Sequence, residues 1–153
     1  MSADLQWLLV RKWNSFQRKA VNGPVFSAEK GNLVNLHSGK YSGLANNKVI
    51  DISATPEGAI KITKIKADGR KVASTRTSTT LRRSTGPRRA NKIAAVETAS
   101  KGFRADLRPA AVARASALAR AARRSVNPPK DFAPKTRGAK KAVAAEENAI
   151  EVD

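Results

Sequence analysis

VIDISATPEGAIKITKIK, residues 49 to 66, reads as two strands and a turn. Val49 to Ser53 is a short apolar-rich run, and Thr55-Pro56-Glu57-Gly58 has turn chemistry. From Ala59 to Lys66, Ile60 and Ile62 alternate with Lys61 and Thr63. Alternation sends successive side chains to opposite faces of a sheet, so the stretch predicts an antiparallel hairpin with isoleucines on its inner face. Ile65 breaks the alternation. A bulge and a strand buried on both faces near its end both fit that break.

Downstream, Asp68-Gly69 turns the chain toward Val72 to Leu81. Thr75, Thr77, Thr79 and Thr80 supply β propensity there, so the meander continues and the sheet ends at Leu81. Upstream, Asn14 to Lys19 and Val25 to Ser27 flank the turn signal Asn22-Gly23-Pro24, which predicts a second hairpin with one short arm. Before it, Ser2 caps a short helix with Asp4 in its first turn, where a carboxylate meets the positive end of the helix dipole. Leu5, Leu8 and Leu9 fall on one face of that helix, and the expectation is that this face packs inward.

Helices follow the sheet. Gly86-Pro87 puts proline at a helix start, Ile93 and Val96 sit three apart in an alanine-rich run, and Gly102 terminates it. A longer helix begins near Asp106, expected as N-cap, with Pro109 in the tolerant first turn and alanine dominant through residue 122. At 100° per residue Ala111, Val112, Ala115, Leu118, Ala119 and Ala122 form one narrow apolar stripe, while Arg114, Arg120 and Arg124 point elsewhere. After Ser125 the composition shifts to Pro, Lys, Arg and Gly with no apolar period, and residues 142 to 153 are alanine-rich and acidic. The expected architecture is α+β: a small antiparallel β-meander with an N-terminal helix and two C-terminal helices, followed by a basic extended tail. Residues 1–124 form the domain, and residues 125–153 form a basic and then acidic extension.

Composition sets the class of partner. The chain has 153 residues, enough for one core, and its 41% apolar content is largely alanine, with aromatics at 5%. Thirty Lys and Arg against twelve Asp and Glu leave a net charge of +18. The excess is uneven: residues 61–141 hold 23 basic and four acidic residues, whereas residues 142–153 hold four acids and no base. Such a surface gains by condensing onto a polyanion and releasing its counterions.

Other chemistry finds little support. The absence of cysteine excludes disulfides, thiol nucleophiles and zinc sites built on Cys. His37 has no Cys or carboxylate at ligand spacing and reads as loop surface. No Walker A run or G-x-S-x-G elbow occurs, carboxylates do not pair within the folded portion, and Glu146-Glu147 lies in the solvated tail, so no enzymatic role, cofactor or small-molecule substrate is expected. No signal peptide or membrane-length apolar run occurs, and the reading is a soluble intracellular protein without a membrane partner. Trp7 and Trp13 offer flat faces for base stacking, yet beside a leucine stripe they read better as core or protein interface.

The basic clusters are Arg82-Arg83, Arg88-Arg89, Arg123-Arg124 and Lys140-Lys141. A solvated face is the bland reading of any one charge. Twenty-three bases among 81 residues exceed what solubility requires, and the guanidinium fork matches phosphate oxygens. RNA or DNA is the expected ligand. The candidate contacts are Arg76, Arg82, Arg83, Arg88, Arg89, Lys92, Arg104, Arg108, Arg114, Arg120, Arg123, Arg124, Lys130, Lys135, Arg137, Lys140 and Lys141, with the paired arginines and Arg120 foremost.

Several segments resemble a known family. Ser2-Ala3-Asp4-Leu5-Gln6-Trp7 with Val10-Arg11 and Ser15-Phe16, then Tyr41-Ser42-Gly43-Leu44 and Lys48-Val49, the threonine run to Leu81, and Phe103-Arg104-Ala105-Asp106-Leu107-Arg108 with Ala110-Ala111 and Arg114-Ala115-Ser116-Ala117 occur in order. Together they resemble the eukaryotic large-subunit ribosomal protein family number twenty-eight over roughly residues 2–124. Ala105 departs from the family's usual proline, and the acidic end has no counterpart. The resemblance implies a small α+β domain in the cytosolic large subunit, reached through the nucleolus during assembly. It also implies contact with large-subunit ribosomal RNA, including expansion segments, and with neighbouring ribosomal proteins. On that reading basic side chains bridge RNA by phosphate contacts that fix position without reading bases, and residues 125–141 order along the RNA.

Two rivals come from other classes. A chromatin protein would concentrate lysine over long tails, whereas this tail is short and ends in acid. A protein on acidic lipid would need a deeper apolar stripe than alanine supplies.

Overall fold

A computed structural model describes residues 2–21, 23–66, 72–100 and 102–130. The Asp68-Gly69 turn and the tail positions Lys135, Arg137, Lys140, Lys141 and 142–153 lie outside the described residues.

Helix α1, Ala3–Val10, begins where expected, with the Leu5 amide donating to the Ser2 hydroxyl at 3.3 Å. Its leucines do not pack inward: Leu5, Leu8 and Leu9 are 47%, 56% and 60% exposed. The helix is held instead through Trp7, whose ring lies over Gly39 and tilts against His37 with centroids 4.9 Å apart. His37 is therefore not loop surface. Its Nε2 meets the Arg11 carbonyl at 2.7 Å, and the Gln17 amide donates to the same oxygen at 2.5 Å. The carbonyl oxygen accepts both hydrogen bonds, and the Gln17 amide nitrogen also lies 3.3 Å from His37 Nε2, so the three groups form one cluster. One carbonyl at the end of α1 thus ties the helix to the first hairpin.

That hairpin pairs β1, Gln17–Lys19, with β2, Val25–Ser27. The loop after it folds around the buried Glu29 carboxylate. Asn32 and Ser42 donate to its two oxygens at 3.1 and 3.2 Å, which supplies the partners a buried carboxylate needs. Gly43 lets this loop close, because a Cβ there would collide with the Lys30 carbonyl.

The main sheet has three strands in the order β3-β4-β5: Lys48–Ala54, Ile60–Lys66 and Arg76–Thr80. The β3-β4 turn places Gly58 at φ +81°, and the Thr55 hydroxyl accepts from the Ala59 amide at 3.0 Å. Pairing runs without a slip from Ala54↔Ile60 to Lys48↔Lys66. The register therefore excludes a bulge at Ile65, but the end of β4 is not buried on both faces either: Lys64 and Ile65 are half-buried and Lys66 is exposed, while Val49 opposite Ile65 is 5% exposed, covered by Gly31. The last strand is shorter than its threonines suggested. Val72–Thr75 is a single helical turn, α2, and pairing with β4 starts at Arg76.

Helix α3, Pro87–Ala95, starts at proline as expected and runs into a π-helical turn, Val96–Ser100, before Gly102. A 3-10 turn, Ala105–Leu107, then leads into α4, Arg108–Val126. Asp106 is not the N-cap. Leu107 holds that position without a capping side chain, because the Asp106 carboxylate is already taken by Arg104 at 2.8 and 2.9 Å.

Both helices lie on one face of the sheet. Ile50, Ile52, Ile60 and Ile62 meet Ala90, Ala94, Ala111, Ala115 and Ala119 in a single core with Leu33, Leu81 and Leu107. Each isoleucine contributes about 1.5–3 kcal/mol by leaving water. The alanines contribute little area but let α3 and α4 approach closely, so the helical layer fits a narrow three-stranded sheet. Lys64 also emerges on this face, where it is ion-paired to the buried Glu97 of the π turn.

Candidate nucleic-acid interface

The expected contact residues divide into three groups. Arg104 is spent inside the fold. Besides gripping Asp106, it donates to the carbonyls of Lys48 at 2.9 Å and Lys40 at 3.0 Å, so one guanidinium fastens the start of β3, the 40s loop and the 3-10 turn. Its hydrogen bonds and charge hold the Asp106 carboxyl below the usual carboxylate range. Arg114 lies partly buried against the sheet, with Nε 3.4 Å from the Ile52 carbonyl.

A second group is exposed but scattered. Arg76 lies on the outer strand β5, whose five residues are all exposed. Arg108 starts α4 roughly 24 Å along the helix axis from Arg124. Lys130 follows the end of α4.

The third group converges. Arg82 and Arg83 follow the buried Leu81, which fixes the point where the chain leaves the sheet. Arg88 and Arg89 occupy the first turn of α3, with Lys92 one turn later. Arg120, Arg123 and Arg124 lie on the outer side of the last turns of α4 and line one cleft with Asn127. The α3 start and the α4 end are neighbours: Gly86, Pro87, Ala119 and Arg123 line one cavity together with Arg82 and Arg83. Arg82, Arg83, Arg88, Arg89, Arg120, Arg123 and Arg124 are all exposed, and no ion pair engages any of them among the described residues.

Two features of this group run against stability. Arginines in the first turn of α3 face the positive end of its dipole, and no acidic residue there offsets them; a like charge at that end costs about 0.3–1 kcal/mol. Gly86 also caps the helix with no side-chain acceptor, leaving its first amides open. Both features fit a surface that receives an anion.

The convergence also has an apolar part that sequence reasoning missed. Ile60, Pro87, Ala122 and Val126 line the cavity beneath Arg82, Arg83 and Arg123. Nothing local marks them, since Ala119 and Ala122 continue the stripe that packs elsewhere along α4.

Comparison with known proteins matches residues 5–121 to the model of the ribosomal L28e protein family. The chain belongs to that family. It is 30% identical over 121 residues to large ribosomal subunit protein eL28 of Schizosaccharomyces pombe, covering 77% of this chain and 90% of the relative. It is 42% identical over 80 residues to the Caenorhabditis elegans protein of that name, and 45% identical over 65 residues to that of Dictyostelium discoideum. These two alignments take in 52% and 42% of this chain, and 63% and 48% of the relatives' lengths. The family match includes the sheet, α3 and most of α4, and thus the convergent arginines as far as Arg120. Arg123 and Arg124 lie just beyond it.

Proposed function

We propose that this L28e-family chain is a structural constituent of the eukaryotic large ribosomal subunit that binds ribosomal RNA and catalyses nothing. The observation that carries the reading is the gathering of seven exposed arginines without ion pairs around the α3 start and the α4 end. Charge this dense and unopposed repels itself, and phosphate relieves the repulsion. The paired arginines contact phosphates and fix the protein's position on folded RNA, expansion segments included. Residues 1–124 serve as the RNA-binding domain, and residues 125–141 extend the contact along the backbone. The protein works in cytosolic ribosomes and joins the subunit during nucleolar assembly.

The leucine face of α1 has a different partner. Leu5, Leu8 and Leu9 suit a neighbouring ribosomal protein, because an apolar face gains by giving up water to another apolar surface and gains little from phosphate.

Sucrose-gradient sedimentation of a cell lysate tests the reading. The protein is expected in large-subunit and polysome fractions before and after a high-salt wash. Loss at high salt would make it a loosely bound factor, and sedimentation with chromatin would replace the reading with a DNA-binding one.

A further inference from the structure

The cavity between the β3-β4 turn, the 82–87 link and the end of α4 measures about 310 Å³, at the lower end of the roughly 300–1,000 Å³ typical of ligand clefts. Its depth comes from small side chains. Ala119 and Ala122 line it together with Ile60 and Pro87. Its rim is positive, with Arg82, Arg83 and Arg123 and no carboxylate in the lining. Glu57 belongs to an adjoining cleft that shares Arg82 and Arg83. The uncapped first turn of α3 starts at Pro87, in the wall.

A ligand suited to this arrangement has a compact, flat, weakly polar body joined to negative charge. Phosphate alone would leave the apolar lining wetted, and an apolar group alone would leave three guanidiniums without a counter-charge. We infer that this cavity takes one unstacked nucleotide of the bound RNA, its base on the apolar lining and its flanking phosphates on Arg82, Arg83 and Arg123. Guanidinium planes can stack on an extruded base as aromatic rings do, so the absence of aromatic residues from the lining is no obstacle. The inference rests on the RNA-binding reading and adds to it a feature that phosphate contacts lack: a preference for RNA that presents an unpaired base.

The test uses the full chain and three short RNA hairpins of equal length: fully paired, with one bulged uridine, and with an abasic residue at the bulge. The bulged uridine is expected to bind about tenfold more tightly than the other two, the order of magnitude that one stacked base supplies. Ala122→Phe fills the cavity and is expected to bring the three affinities together without changing affinity for the paired hairpin. Val126→Trp repeats the test from a position that is 58% exposed, where folding is not at stake. Equal wild-type affinity for all three, with steep salt dependence, would overturn the nucleotide site and leave RNA binding standing. Salt-insensitive or absent binding to every hairpin would remove both. A uridine preference that survives both substitutions would also overturn the inference.

Discussion

Helices α1 and α4 invert the usual relation between side-chain size and burial. α1 carries three leucines and leaves them in water, whereas α4 buries Ala111 and Ala115 completely. The difference lies in what each helix faces. α4 lies against a sheet and α3, and alanine is the residue that fits that narrow gap. α1 is anchored by Trp7 and by the Arg11 carbonyl, and its leucines stay about half exposed among the described residues. Hydrophobicity proposes a face for burial, but a complementary surface decides whether it is buried. Charge is sorted as well, since exposed arginines gather at the α3–α4 end while the exposed face of α1 carries leucines.

The largest expected effect comes from removing charge at that end. Arg120, Arg123 and Arg124 changed together to alanine should weaken RNA binding on the order of a hundredfold at 0.1 M salt and flatten the log–log salt dependence by roughly 2 to 3. Alanine is the strongest helix former, so thermal stability should hold or rise. Filter binding across a salt series measures the slope, and an unchanged slope would take the end of α4 out of the RNA footprint.

Next come two matched changes in the helices themselves. Ala115→Leu adds bulk where there is no space and should destabilise the fold by about 1–3 kcal/mol. Leu8→Ser removes far more apolar surface, yet should stay within about 0.5 kcal/mol, because that surface is already wet. Urea denaturation of both variants compares them directly. If Leu8→Ser proved as costly as Ala115→Leu, the contrast between the two helices would fail. The same serine variant should instead reduce retention in the large subunit after a salt wash.

The sequence was legible where the information was local. The β3-β4 hairpin, the proline start of α3 and the alanine stripe of α4 follow from period and punctuation alone. The failures involve partners distant along the chain. Arg104 resembles any other surface arginine until its carbonyl partners, 56 and 64 residues away, come into contact. His37 finds the Arg11 carbonyl 26 residues upstream. The leucine period of α1 correctly specified a helix with an apolar face but carried no information about what covers it. The apolar lining of the cavity was hidden for the opposite reason, because Ala119 and Ala122 obey the packing period so well that nothing marks where the packing partner ends.

Asp106 gives the smallest expected effect and a test of the structural arginine against the exposed ones. Hydrogen bonds from Arg104 hold its carboxyl below the ordinary range, while partial burial opposes them. A depressed folded-state value means that the carboxylate's contribution is complete above its unfolded value of about 3.9 and is lost as pH falls through the folded value. With the carboxylate side chain 43% exposed, solvent screens the pair and the contribution is modest. Asp106→Asn should therefore lower stability slightly at neutral pH and converge with the wild type in acid, measured as urea midpoints between pH 6 and roughly pH 2. The Lys40 and Lys48 carbonyls remain as acceptors for Arg104, so the fold should persist. Arg104→Ala removes all three attachments at once and should cost more than Asp106→Asn at every pH. Arg124→Ala should leave stability unchanged, and a stability loss there equal to that of Arg104→Ala would erase the distinction between arginine that holds the fold and arginine available to RNA.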